Sequence, residues 1–254
     1  MWAATASLTR FFSPESVAVV GASRDPKAIG GLVFDHILHG RFAGVVYPVN
    51  PNAQYVSAVQ AYASLSELPT VPDMVLVCVP ARFVADVVDE AGRLGVRAVC
   101  IISAGFAEAG EEGMARHEEL MAIVRAHGMR VIGPNCMGIM NATEAVRMNG
   151  TFSDTFPPPG RLAFSSQSGA LGLAVIDHAN DLGLGLSTFV SVGNKADISG
   201  NDLLLYWDQD PDTDVILLYL ESFGNPRKFS RIARRISRKK PIVVVKSGRT
   251  SAGV

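Results

Sequence analysis

The sequence predicts an α/β protein of two domains, each built on a parallel sheet. Short Val- and Ile-rich runs recur along the 254 residues with helical patterns between most of them, the alternation of βαβ units. Two of these runs, in Val17–Gly30 (VAVVGASRDPKAIG) and Leu162–Ala170 (LAFSSQSGA), break into small residues and then into a helix. Between them Pro157, Pro158 and Pro159 exclude both helix interior and central strand, which places a domain boundary in Thr151–Gly160.

In the first domain, residues 1–150, strands are expected at Val17–Val20, Val45–Val49, Met74–Val79, Ala98–Ile102 and Arg130–Ile132. Ile29–His39 is the first expected helix. Phe83–Leu94 is the second, with Phe83, Val84, Val87, Val88 and Leu94 on one apolar stripe. Glu112–His127 is the third, stopped by Gly128. In the second domain, residues 151–254, strands are expected at Arg161–Phe164, Leu186–Val192, Val215–Leu220 and Pro241–Lys246. Helices are expected near Ala170–Asp181, Gly200–Trp207 and Pro226–Arg238. Only eight residues follow Lys246, too few for a covering helix, so this domain reads as a piece of a longer polypeptide.

Composition narrows the function classes. The 23 Lys and Arg nearly cancel 24 Asp and Glu, so no global field would hold the chain on nucleic acid or an anionic membrane. No apolar run reaches the roughly 18 residues a bilayer span needs, and Met1–Arg10 lacks the pattern of a secretory signal, which makes the cytoplasm the default. Cys78 and Cys100 fall inside expected strands and Cys136 follows the Gly133, Pro134, Asn135 turn. No pair has metal-ligand spacing, so all three read as reduced thiols and no metal site is expected.

The first turn is not the NAD type. That fingerprint needs G-x-G-x-x-G and an acidic residue about 20 positions on to hold a ribose hydroxyl. Here Gly21 is followed by Ala22 and Ser23, the next glycines are Gly30 and Gly31, and the second strand runs into Asn50 and Pro51 without a carboxylate. The turn instead offers a close backbone approach at Gly21, donors at Ser23, and the cations Arg24 and Lys27 beside a helix start. An anionic, phosphate-bearing ligand suits it. Small or turn-forming residues also close the third, fourth and fifth strands, at Val79-Pro80-Ala81, Ser103-Ala104-Gly105 and Gly133-Pro134-Asn135. In open parallel sheets ligands lie across such strand ends.

The ordered segments VAVVGAS, YPVNPN, VCVPA, ISAGFAE, IGPNCMGI, FSSQSGAL, SVGNKADISGND and LYLESFGNP resemble the NDP-forming acyl-CoA synthetases and, more distantly, the alpha subunit of succinyl-CoA synthetase. The resemblance runs from Phe11 to Thr250. It implies a Rossmann-like CoA-binding domain followed by a flavodoxin-like succinyl-CoA-ligase-type domain. CoA would lie along Gly21, Ala22, Ser23, Ile29 and Gly30, with Asn50, Pro51, Val79, Pro80, Ser103 and Ala104 lining its path and Asn135 toward the thioester. Ser166, Gln167, Ser168 and Gly169 would form a phosphate site at a helix start. Gln167 stands where succinyl-CoA synthetase typically has arginine, which brings the likeness closer to the ADP-forming acetate ligases.

In the family, phosphate attacks the thioester, the phosphoryl group moves to a histidine, and an ATP-grasp domain or subunit passes it to ADP with Mg. The resemblance assigns Glu221 the role of the carboxylate that holds the histidine; read without it, Glu221 is a strand-end carboxylate capping the next helix. The family histidine follows the KSGRT segment in a loop this sequence does not include. His36, His39, His117, His127 and His178 read as surface or packing residues. The implied partners are CoA or acyl-CoA, phosphate, an ATP-grasp domain or subunit, and further copies in an oligomer. The basic run from Arg227 to Lys240 reads as a solvated helix face or a docking surface for an acidic partner. An alternative from another class is a non-catalytic CoA-sensing module of a GNAT-type protein lysine acetyltransferase.

Overall fold

The computed structural model describes residues 7–247. It opens on a short helical turn, α1 (Thr9–Phe12), and then β1 (Ser16–Val20), α2 (Ile29–His39), β2 (Val45–Val49), a small hairpin of β3 (Tyr55–Val56) and β4 (Val59–Gln60), β5 (Met74–Val77), α3 (Val84–Leu94), β6 (Ala98–Ile101), α4 (Gly110–Ala126) and β7 (Arg130–Ile132). The first sheet has the order β2-β1-β5-β6-β7, and every pairing in it is parallel. From β1 the chain first moves outward to β2 and then returns to β5 on the other side. The carboxyl ends of β1 and β5 therefore flank a topological switch point.

The second sheet repeats this device. After a hairpin of β8 (Gly138–Asn141) and β9 (Met148–Thr151) come β10 (Pro159–Ser166), α5 (Gly169–Asp181), β11 (Leu186–Ser191), α6 (Gly200–Gln209), β12 (Val215–Leu220), α7 (Pro226–Ile236) and β13 (Ile242–Lys246). The order is β13-β12-β10-β11-β8-β9, parallel from β13 to β11, with β8 antiparallel to β11 and β9 antiparallel to β8. Its switch point lies between β10 and β12.

The hairpin corrects the expected organisation. Neither β8 nor β9 was expected as a strand, and both precede the proline run, yet they hydrogen-bond into the second sheet. The second sheet thus begins before residue 151, and Pro159 opens its central strand at the edge of the ladder. Alternation alone could not reveal this, because both strands are buried along their whole length and carry glycine and asparagine. A second correction concerns Phe83, expected on the buried stripe of the second helix. It lies in a 3-10 turn ahead of α3, is 46% exposed, and stacks under the Arg82 guanidinium. The helix starts one residue later, so the Phe83 side chain leaves the stripe.

The two halves share one core. Leu8, Phe11 and Phe12 are fully buried, and the Phe12 ring stacks on Tyr206 of α6 at 4.5 Å. Burial raises the Tyr206 pKa. Beside it Trp207 is buried and donates its indole N–H to Thr188 Oγ1 at 2.8 Å. Arg130 of β7 pairs with Asp197 of the second half at 2.8 Å, and Ile198 N–H donates to the Val131 carbonyl at 3.1 Å. Ser199 and Asp202 close a capping box that starts α6. These links place the carboxyl ends of both sheets on one cleft.

Candidate functional site

Six strand ends contribute to a cleft of about 820 Å³. Cys78, Val79 and Pro80 follow β5, Ile102, Ser103 and Ala104 follow β6, and Asn135 and Cys136 follow β7. From the other half, Gln167, Ser168, Gly169 and Ala170 follow β10, Gly193 and Asn194 follow β11, and Glu221 follows β12. Ile29 of α2 closes one end. The switch point of the second sheet and the β5, β6 and β7 ends of the first therefore open on the same space, at the strand ends where a ligand of an open α/β sheet is expected.

Of the residues predicted from sequence, Ile29, Val79, Pro80, Ser103, Ala104, Asn135, Gln167, Ser168, Gly169 and Glu221 line this cleft. Gly21, Ala22, Ser23, Gly30, Asn50, Pro51 and Ser166 stand outside that lining. Gly21 has φ +90°, and a Cβ there would meet the Cys78 carbonyl oxygen at 2.8 Å. A Cβ on Gly30 would strike the Gly21 carbonyl. These glycines allow the turn and helix α2 to close on the sheet, so the close approach at Gly21 is to the protein's own backbone. Ala22 is buried, and Asn50 donates its amide to the Ala22 carbonyl at 2.7 Å, tying the β2 end to the turn. Ser23 Oγ accepts from Asp25 N–H at 3.1 Å, and Pro51 is exposed.

At the other end, Ser166 is buried beneath the cleft and shapes the turn. Its Oγ donates to the Ser168 carbonyl at 2.5 Å and accepts from the Ser168 N–H at 3.2 Å. Ser168 caps α5 by accepting from Leu171 N–H at 3.4 Å. Helical geometry leaves the N–H groups of Gly169 and Ala170 without an intrahelical carbonyl, and they start the helix at the cleft. A Cβ on Gly169 would have only Met137 Cβ near it, at 3.9 Å, so this glycine faces open space. Gln167 uses its side-chain carbonyl on the neighbouring strand end, accepting from Glu221 N–H at 3.0 Å and Ser222 N–H at 3.1 Å.

The structure adds residues that the sequence reading missed. Glu108 Oε1 accepts from Gly105 N–H at 2.6 Å and Phe106 N–H at 3.2 Å, and its other oxygen takes the Asn194 amide. Burial works against the Glu108 carboxylate, but the Asn194 and backbone donors prevail and hold its pKa below the ordinary value. Asn194 also accepts from the Asn135 amide at 3.2 Å, so it bridges both halves at the cleft floor. Glu108 and Asn194 lie in the ISAGFAE and SVGNKADISGND segments, which were the available signal.

The cysteines and histidines need one correction. Strand β5 ends at Val77, so Cys78 sits on the cleft wall outside the strand. Burial raises its thiol pKa. Cys100 and Cys136 approach to 3.8 Å, and that contact, with burial, raises Cys100. All three are free thiols. The described residues include all five histidines, and none lines the cleft. His36 bonds the Thr151 carbonyl at 2.9 Å, and His127 bonds Asp89 at 2.8 Å.

Two family models match successive parts of the chain. Residues 15–142 match the CoA binding domain model, and residues 159–254 match the succinyl-CoA ligase like flavodoxin domain model. The alpha subunit of acetate–CoA ligase [ADP-forming] II from Pyrococcus furiosus is 42% identical over 246 residues, 97% of this chain and 53% of that subunit. The chain belongs to the NDP-forming acyl-CoA synthetase family. A 4-hydroxybutyrate–CoA ligase [ADP-forming] from Nitrosopumilus maritimus is 38% identical over 95% of this chain and 35% of its own length. Acetyl-coenzyme A synthetase 1 of Ca. Korarchaeum cryptofilum, solved with phosphate and ADP, superposes with a TM-score of 0.90 at 42% identity, covering 97% of this chain and 53% of that one. The chain spans about half the length of these alpha-subunit relatives. The relatives are ligases, which favours the synthetase reading over the acetyltransferase-linked sensing module. Among the described residues, no helix is long and apolar enough to cross a membrane.

Proposed function

We propose that this chain is the CoA- and phosphate-binding part of an NDP-forming acyl-CoA synthetase, converting acyl-CoA, phosphate and ADP to acid, CoA and ATP in either direction. The observation that carries the proposal is the shared cleft: the strand ends of a CoA-binding domain meet the α5 helix start and Glu221 of a ligase-like domain. In this reading the nucleotide end of CoA runs past the Gly21–Ser23 turn, Asn50 and Pro51. Its pantetheine arm passes Ile29, Val79, Pro80, Ser103 and Ala104 toward Asn135. The cleft suits a long ligand because its wall is apolar at Ile29, Val79, Ile102 and Phe152 and polar at its far end.

At that far end, the N–H groups of Gly169 and Ala170 hold a phosphate and stabilise the charge that develops as it attacks the thioester. Ser166 and Ser168 keep that helix start in shape, and Gln167 aligns Glu221 through two backbone donors. Glu221 then fixes the tautomer of a histidine carried outside these residues. An ATP-grasp domain or subunit binds ADP with Mg. Arg227, Arg231 and Arg234, exposed at helical spacing on α7, offer an acidic partner of that kind a docking stripe. Three free thiols suit a cytoplasmic, reducing setting.

Calorimetric titration of the chain with CoA and acetyl-CoA, with NAD as control, tests the proposal. Micromolar CoA binding, about −7 to −8 kcal/mol, and none for NAD are expected. A folded chain that ignores CoA, or prefers NAD, overturns it. In the complete enzyme, Glu221→Gln is expected to spare CoA affinity and stop phosphoryl transfer; normal turnover would remove Glu221 from that role.

A further inference from the structure

The cleft is proposed to take an anion, yet the charged side chains lining it among the described residues are Glu108 and Glu221, both acids. Like charges at close range oppose a phosphate dianion. Lys195 stands just behind this end. Its Nζ donates to the Ser222 carbonyl at 2.9 Å and to Ser222 Oγ at 2.6 Å, next to Glu221 in the chain. Burial lowers the Lys195 pKa, and the Glu221 carboxylate works in the opposite direction, so the two charges sense each other.

The backbone gives Lys195 a fixed mount. It has φ +56°, in the left-handed region that a non-glycine residue rarely adopts. Its N–H donates to the Val192 carbonyl at 2.9 Å. On either side, Asn194 N–H donates to the Pro134 carbonyl at 2.9 Å and Ala196 N–H to the Gly133 carbonyl at 3.1 Å. A Cβ on Gly193 would strike the Asn135 and Pro134 carbonyls, which shows how closely this loop lies on the turn from the first sheet. The Glu221–Ser222 turn is consequently gripped from two sides. Gln167 takes its N–H groups, and Lys195 takes the Ser222 carbonyl.

We propose that Lys195 is a positioning residue for the anion end of the cleft: it holds the Glu221–Ser222 turn through Ser222 and supplies the positive charge that lets a phosphate dianion sit beside Glu221. This rests on the reading of the cleft as a CoA and phosphate site. Because the Lys195 loop is fastened to the turn that carries Asn135, it also joins the thioester end to the phosphate end.

The test compares wild type, Lys195→Met and Lys195→Arg in the 254-residue chain, with inorganic phosphate followed by ³¹P NMR, CoA by calorimetry, and thermal melts for folding. Lys195→Met is expected to weaken phosphate about 10-fold or more, with CoA affinity within about twofold. Lys195→Arg is expected to recover most of the phosphate affinity, since its guanidinium keeps the charge and can donate to the same carbonyl. Ser222→Ala, which removes one of the two acceptors, is expected to give a smaller loss and provides the reading should Lys195→Met fail to fold. Unchanged phosphate affinity in Lys195→Met or, should that variant not fold, in Ser222→Ala overturns the proposal. So does a joint loss of CoA and phosphate, or an arginine variant no better than methionine. A wild-type chain that binds CoA but not phosphate overturns the phosphate reading of the cleft itself, and Lys195's role with it.

Discussion

Gly169→Ala separates folding from ligand binding at the start of α5. A Cβ at this position would meet nothing nearer than Met137 Cβ at 3.9 Å, an ordinary van der Waals contact, and Gly169 does not occupy the left-handed region. The fold should therefore tolerate the methyl. Replacing glycine by alanine in a helix gains up to about 1 kcal/mol, less at its first position. For a chain of this size that corresponds to a melting temperature unchanged or raised by about 1 to 3 °C. The ligand should not tolerate it. The methyl projects toward Met137, itself on the cleft wall, and adds bulk to the helix start whose N–H groups are assigned to the phosphate. Losing one hydrogen bond to a charged group costs about 1.5–3 kcal/mol, or roughly 10- to 150-fold in dissociation constant. Differential scanning calorimetry and ³¹P NMR titration on the same preparation measure both effects. A variant that melts like wild type and binds phosphate equally well would show that the anion does not sit at this helix start.

Gly21→Ala and Gly30→Ala should behave oppositely. Each places a methyl against backbone, at the Cys78 and Gly21 carbonyls respectively, so a loss of about 2–4 kcal/mol in stability is expected by chemical denaturation. A variant at either position that keeps wild-type stability would refute this backbone role. Gln167→Ala removes the acceptor for two N–H groups, and roughly 10-fold faster amide exchange at Glu221 and Ser222 is expected, whereas Gln167→Glu should preserve protection. Equal protection in both would show that the turn does not depend on this side chain. Because the Glu108 pKa is depressed in the folded chain, its contribution to stability is present above the ordinary carboxylate range and is lost as pH falls through its folded value. The melting-temperature gap between wild type and Glu108→Gln is therefore expected at pH 7 and should close on acidification below about pH 4. A gap independent of pH would assign Glu108 a role other than its charge.

The sequence alone determined the parallel α/β character and the positions of nearly all the central strands, because buried parallel strands need continuous apolar runs and the helices between them need a stripe. Val45–Val49, Arg130–Ile132 and Val215–Leu220 were legible to the residue for this reason. The strand-to-helix turn at Ser166–Gly169 was equally visible, since a strand that breaks into small residues before a helix leaves N–H groups at a known place. Tertiary structure decided the rest. Buried on both faces and joined antiparallel to a strand about 50 residues away, the β8–β9 hairpin has no local periodicity to announce it. Whether Gly21 and Gly30 serve a ligand or the backbone depends on what lies opposite their missing Cβ atoms, here Cys78 and Gly21. The meeting of Glu108 with Asn194 depends on two sheets docking through one core, and that of Lys195 with Ser222 on the strand order that sets the β11 and β12 ends on either side of β10. Local patterns record which face of an element is buried, whereas the partners across a cleft are set by the packing of elements far apart in the chain.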